Sequence, residues 1–527
     1  MTTKFGVLSG LRGGVALAIA IALGGAALPH AQRQSATPVA GEADAGILVG
    51  RWGDDTTNED EKASEATGRW QAPQDRGSLH SIASTYGAQA AWKKLDSSGR
   101  TITGKGVDVA VIDTGIAPVA GLDAAGKVVN GPDLSFESQA ANTRHIDGYG
   151  HGTHMAGIIA GRDREVLAGA ENDPSRFVGI APDARIVSLK VAAADGGADV
   201  SQVIAAIDWV VQNRRANGLN IQVINLSYGT RSRQPYTADP LAHAVENAWR
   251  HGIAVVTAAG NDGGAVPVTM PATDPYVITV GAVDHVGTAE TADDRLASFS
   301  NAGTTARRPD LLAPGKSVVS LRTPGSYADV MHPEALVNGD TGRRFFRGSG
   351  TSQATAVVSG AVALLLQQRP SLTPDQVKAL LKTSADKLAT NPGEGPGVID
   401  IIGALDTAAP TVTGSRQTWP ASTGIGALEA ARGESHVVDP ANGAALTGEF
   451  DALGAPWQAT AWSKASAAAT AWSGSGWNGS TWDGTWTGRS WSGIDWQARS
   501  WSGDVWFARS WSGIDFVARS WSGKAWA

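Results

Sequence analysis

Three side chains lie where a strand-and-helix chain would present them for chemistry. Asp113 closes the apolar run "GVDVAVID", and His151 sits between glycines in "DGYGHGTHMAGIIAG". Ser352 stands between a glycine-rich approach and a long apolar stretch in "RGSGTSQATAVVSGAVALLLQQ". A serine hydroxyl is a poor nucleophile until a neighbouring base takes its proton. A histidine base in turn needs a third group to fix its tautomer and stabilise its charged form. One candidate of each type suffices for nucleophilic acyl transfer if the fold gathers them. Each also has an ordinary structural use. Ser352 reads as a helix N-cap, Asp113 as a turn cap, and His151 as a helix-start residue bonding its own backbone. His154, one turn further on, reads as a packed residue and not a second base.

The elements that must position them are legible between about residues 105 and 405. "GVDVAVID", "ARIVSLKVA", "IQVINLSYG", "GIAVVTAAG" and "YVITVGAVD" are short apolar runs bounded by glycine or polar turns. "DVSQVIAAIDWVVQNRR" and "DPLAHAVENAWRHG" carry apolar residues at helical spacing. Nearly continuous apolar strands alternating with helices predict an α/β fold, with a mostly parallel sheet covered on both faces. Sites in such sheets form at the carboxyl ends of strands. Net charge is −7, which gives no reason to expect a nucleic-acid partner. The chain has no cysteine, which excludes thiol catalysis, disulfides and Cys-based zinc sites.

Taken together, "AVIDTGI", "HGTHMAGIIAG" and "GTSQATAVVSG" resemble the three catalytic blocks of the subtilisin-like serine peptidases, the subtilases, in the order Asp, His, Ser. "GIAPDARIVSLKV", "INLSYG", "VTAAGND" and "PATDPYVITVGAVD" resemble the segments between those blocks, and the likeness runs from about Gly87 to Leu405. The resemblance implies a three-layer subtilisin-like fold and a serine endopeptidase acting on polypeptides. In it Asp113 orients His151, His151 is general base and then acid, and Ser352 attacks the carbonyl. Asn261, a turn residue on its own evidence, becomes an oxyanion donor alongside the Ser352 backbone N–H. Ser227, Tyr228 and Gly229, with Ala258, Ala259 and Gly260, become the segments that pair with an extended substrate and wall its side-chain pocket. The chain departs from the family at Gln353, where methionine is usual, and at Ala356, where proline is usual. That leaves a competing reading, a catalytically silent protease-fold binding or surface protein. "GTSQA" is not the Gly-x-Ser-x-Gly elbow of the α/β-hydrolases, which argues against an esterase. No cofactor is required for this chemistry. Relatives often hold structural calcium, and "AENDPSR" offers oxygen ligands, yet its spacing identifies no site.

The flanks have different characters. Lys4 and Arg12 precede "GVALAIAIALGGAAL", which reads as a secretory signal over residues 1–31 and implies secretion, with cleavage after Ala27 or Ala31. It is short for a membrane span, and no later stretch reads as one. Residues 32–76 read as a polar linker or short pro-segment, 77–408 as the peptidase domain, and 409–456 as a Pro/Gly/Thr-rich connector without helices. Residues 457–527 hold most of the 19 tryptophans, in a ten-residue repeat exemplified by "RSWSGIDWQA". Five-residue steps put alternate aromatics on opposite sides of an extended chain, so short strands with Ser-Gly turns are expected. This module is expected to be independent. It is either a self-packed ladder or a surface binding cell envelope, polysaccharide or protein.

Overall fold

The computed structural model describes residues 51–52, 69–138, 141–388, 397–438 and 444–482. The signal-like stretch, most of residues 32–68 and the repeats beyond residue 482 lie outside them. The core is a sheet built from β1 (Asp108–Asp113), β2 (Val128–Asp133), β3 (Arg185–Lys190), β4 (Ile221–Leu226), β5 (Ala254–Ala258), β6 (Ile278–Asp284), β7 (Arg295–Leu296) and β8 (Leu311–Pro314). Its order is β2-β3-β1-β4-β5-β6-β7, with β8 also pairing with β6. The pairs from β2 to β6 are parallel, as is β6 with β8, and β7 alone runs antiparallel to its neighbour. Every residue of β1, β4 and β5 is buried, as a sheet covered on both faces demands. Strand β2 escapes the sequence pattern because it is half-buried at the sheet's edge and carries Asn130 and Gly131.

Two helix pairs supply the cover. α1 (His151–Ala160) packs with α4 (Thr351–Gln368), and α2 (Val200–Asn213) packs with α3 (Pro240–Arg250). Their starts follow local chemistry. Asp199 caps α2 in a reciprocal box with Gln202, and Asp239 caps α3 with Pro240 in the first turn. An antiparallel pair, β9 (Val318–Leu321) with β10 (Phe345–Ser349), leads directly into α4, and the strand Arg51–Trp52 adds to β10.

Beyond residue 406 the structure departs from the sequence reading. Helices do not stop there: Val412–Ser415, α5 (Leu428–Arg432) and α6 (Ala459–Ala467) follow. α6 is alanine-rich, so its propensity favours helix once its tryptophan face has somewhere to dock. After it, β11 (Trp472–Ser473), β12 (Gly476–Trp477) and β13 (Ser480–Thr481) form a small antiparallel sheet. The expected independence does not extend to these residues. Trp457, Trp462, Trp472, Trp477 and Trp482 join the same apolar core as the strands of the main sheet. The Trp462 and Trp477 indole N–H groups donate to the Asp208 carboxylate of α2 at 2.8 and 2.9 Å, and the Ser466 hydroxyl donates to it at 2.5 Å. A buried indole N–H requires an acceptor, and this one belongs to a helix that covers the main sheet. Trp472 donates to the Ala205 carbonyl of the same helix at 2.9 Å.

Candidate active site

Asp113 and Lys190 are register partners at the carboxyl ends of β1 and β3. The Lys190 ammonium, wholly buried, donates to the Thr114 carbonyl at 2.8 Å and pairs with Glu137 at 2.8 Å, fixing the chain just past Asp113. Burial alone would push Lys190 down. Glu137, with Asp133 and Asp147 behind it, outweighs burial and holds the ammonium charged.

His151 opens α1 and is fully buried. Its Nδ1 lies 2.8 Å from Asp113 Oδ1 and 3.0 Å from Oδ2. A carboxylate can only accept, so Nδ1 carries the proton and Nε2 is the basic nitrogen of the neutral ring. The approach depends on Gly152, where an added Cβ would lie 2.2 Å from the Gly115 carbonyl oxygen. Gly150, at φ 105°, leaves no room for a side chain beside Ser326 Oγ. Neither helix start is capped by its candidate catalytic residue. α4 has Gly350 at its N-cap position with no side-chain cap, so the cap reading of Ser352 fails, and Ser352 is fully buried in the first turn. His151 and Ser352 thus occupy the first turns of two helices that pack together.

Asn261 follows β5 and Gly260. The Thr351 backbone N–H donates to Asn261 Oδ1 at 2.8 Å, and the Thr351 hydroxyl does so at 3.0 Å. The backbone N–H can only donate, which settles the amide's orientation and turns Nδ2 the other way. Thr351 therefore aims Asn261 from the residue next to Ser352.

Sequence reasoning missed Thr351 and two more positioning groups. Asp147 accepts from the N–H groups of Gly150 (2.6 Å) and Thr153 (2.7 Å) and from the Thr114 hydroxyl (2.7 Å), serving the start of α1. Thr114 Oγ1 accepts from Gly152 N–H at 2.8 Å. An acid just ahead of a helix start was the available signal for Asp147. His154 is fully buried, and burial, then His151, pushes it down to about 3, so it stays neutral as a packed residue. Gln353 is buried with no hydrogen-bond partner for Oε1, and Ala356 is wholly buried in α4.

The expected substrate segments need correction in detail. Ser227–Gly229 extends β4, but the Tyr228 ring is fully enclosed and not a groove contact. Burial, then Asp199, holds its phenol well above the usual range. The Ala259 N–H donates to Val280 O at 3.0 Å and its carbonyl accepts from Thr269 at 3.1 Å. Gly260 O accepts from Asn301 N–H at 3.0 Å. The backbone of Ala259 and Gly260 is therefore already paired within the fold and is not an open pairing edge. Beside it lies a cavity of about 380 Å³, bounded by residues 230–236 on one side and by Asp262 and 266–270 on the other. A second cavity, about 480 Å³, lies between residues 69–80 and 339–345 and contains none of the expected site residues.

Among the described residues, no group of three or more His, Cys, Asp or Glu side chains is arranged to hold a metal. In "AENDPSR", Glu171 is engaged by Arg162 and Asp173 by the N–H and hydroxyl of Ser175. No helix among the described residues is long and apolar enough to cross a membrane.

The family model described as "Subtilase family" matches residues 104–404. The chain is similar to "Serine protease AprX" of Bacillus subtilis (strain 168), at 39% identity over 302 residues, covering 56% of this chain and 64% of that one. It is also similar to "Subtilisin BL" of Lederbergia lenta, at 33% identity over 301 residues, covering 57% and 91%. The chain thus spans a little under two thirds of the first relative's length, and residues 405–527 lie outside the family match.

Proposed function

This chain belongs to the subtilase family, and on that premise we propose that it is a secreted serine endopeptidase using Asp113, His151 and Ser352. Ser352 Oγ attacks the substrate carbonyl carbon while His151 Nε2 takes its proton. Asp113 holds Nδ1–H and stabilises the imidazolium formed. The electron pair of the C=O bond moves to oxygen, which faces the Asn261 amide and the Ser352 N–H. Collapse expels the amine, which leaves with the proton from His151. Water, deprotonated by the same ring, then hydrolyses the acyl-enzyme and restores Ser352. The observation that carries this reading is the buried Asp113–His151 contact at 2.8 Å, next to an Asn261 amide oriented by Thr351.

The substrate side chain preceding the cleaved bond enters the cavity of about 380 Å³. Val266, Pro267, Val268, Met270 and Pro235 make it apolar, and the Asp262 carboxylate in its wall is already paired with Arg231. Uncharged, apolar side chains are therefore preferred. The silent-protein reading rests on Gln353 and Ala356, neither of which supplies a catalytic group. Comparing secreted wild type with Ser352→Ala on casein and on peptide anilides tests the proposal, with N-terminal sequencing of both to locate maturation. Activity in the wild type alone supports it, and equal activity in both contradicts it.

A further inference from the structure

The wall of that cavity formed by residues 230–236 is held from outside by a segment lying beyond the family match. Thr230 Oγ1 donates to Ala431 O at 2.6 Å, and Arg233 N–H donates to Ala430 O at 2.9 Å. Gln234 and Ala427 bond reciprocally, side-chain N–H to carbonyl at 3.0 Å and backbone N–H to side-chain oxygen at 3.1 Å. Gly426 and Thr423 donate their N–H groups to Ala238 O and Thr237 O, both at 2.8 Å. Glu434 lies 3.4 Å from Arg231, whose other branch pairs with Asp262 in the opposite wall. The segment is itself anchored. Arg432, fully buried, is 2.5 Å from Asp199 at the start of α2, and its guanidinium also donates to the carbonyls of Gly448 (2.7 Å) and Phe450. At Gly433, φ 65°, an added Cβ would stand 2.2 Å from the Arg231 carbonyl oxygen, so the two backbones are in direct contact.

We propose that residues 422–434 are a positioning element of the substrate cavity: they fix its 230–236 wall and keep Arg231 over Asp262, so that a segment outside the matched family region sets side-chain specificity. This rests on the cavity receiving the substrate side chain. With Arg231 in place, Asp262 is neutralised and apolar side chains are favoured. When the wall shifts, Asp262 is released and basic side chains gain.

The test uses the full-length secreted enzyme and peptide anilides that differ only in Phe or Lys before the cleaved bond. Rates are taken per titrated active site. Gly433→Ala forces a methyl group against Arg231. It should lower the Phe-to-Lys ratio of kcat/KM by about fivefold, the scale of one partly exposed ion pair. Ala427→Pro removes the N–H latched to Gln234 and turns a ring carbon towards its oxygen, at a residue whose φ of −73° suits proline. It should lower the ratio by about twofold, through one lost hydrogen bond. Trp477→Leu disturbs the extension away from the cavity. It should lower the melting temperature and leave the ratio unchanged, which a purely structural role of 422–434 would also give for the first two variants. An unchanged ratio in Ala427→Pro, or in active Gly433→Ala, overturns the proposal. A wild type that cleaves neither anilide nor casein overturns the proteolytic reading and this inference with it.

Discussion

The first turn of α4 and the tryptophan-bearing stretch ending at Trp482 both bury hydroxyl, amide or indole groups against the peptidase body, and they use them differently. At α4, Thr351 takes up the Asn261 oxygen and so aims the other branch of that amide, while Asp113 takes up Nδ1 of His151 and so, in the proposed mechanism, makes Nε2 the base. Each hydrogen bond there orients a group for something else. Around Asp208 the arrangement closes on itself: two indoles and a hydroxyl converge on one carboxylate, and no member is aimed outward. Burial, its largest influence, raises the Asp208 carboxyl, with those three donors opposing it. A polar cluster in a core is therefore catalytic or structural according to where its remaining valences point, not according to how many charges it holds. The two clusters respond differently to substitution. One should lose rate without stability, the other stability without rate.

The largest effect should fall on the proposed nucleophile and its base. Ser352→Ala and His151→Ala should each lower kcat by about 10⁶, the scale found when the same triad is dismantled in subtilisin, and the double variant should be little worse. Melting temperatures should stay near that of the wild type. A large stability loss in Ser352→Ala would blur the distinction between the regions. Asn261→Ala should reduce kcat by roughly 10²–10³ with KM little changed, the range known for removing such a donor in subtilisin. A change confined to KM would move Asn261 from transition-state stabilisation to substrate binding.

At the other cluster, Asp208→Ala strands three buried donors and should cost about 3 kcal/mol in denaturant unfolding. The rate per titrated active site should be unchanged, and a rate loss with stability intact would reverse the assignment. The smallest effect is a pH dependence at Asp451, which joins the connector to the Trp segment through Asn478 at 2.8 Å. Burial, opposed by Asn478 and the N–H groups of Ala455 and Leu453, pushes its carboxyl up from 3.8 to about 6. Folding thus favours the protonated form. The stabilisation is complete below about pH 4 and is lost as pH rises through about 6. Asp451→Asn keeps the acceptor for Leu453 and Ala455, and a flipped Asn478 presents the oxygen that is otherwise buried without a partner. Relative to wild type, this variant should gain on the order of 1 kcal/mol between pH 5 and pH 8 in urea melts. Parallel stability curves across that range would exclude the linkage.

These contrasts also explain what the sequence disclosed. Strands β1 and β3 to β6 were legible because a doubly covered parallel sheet writes continuous apolar runs. β2, half-exposed, and the β9–β10 pair wrote no such pattern. Asp113, His151, Ser352 and Asn261 stood out because they end strands or begin helices inside recognisable blocks. Thr351, Thr114 and Asp147 did not, since their role is to bond backbone and other side chains, which many threonines and aspartates do. The Trp periodicity described its own spacing and carried no sign of a partner. The clue lay elsewhere, in Asp208, the single carboxylate of α2 and a buried one.

The central claim is that Ser352 is a nucleophile activated by His151. It is tested most directly by treating the folded enzyme with a fluorophosphonate and mapping the adduct by peptide mass spectrometry. The account predicts one adduct per molecule, on Ser352, absent from Ser352→Ala and strongly slowed in His151→Ala. An unlabelled Ser352 in protein that melts cooperatively, or an adduct that persists in Ser352→Ala, would contradict it.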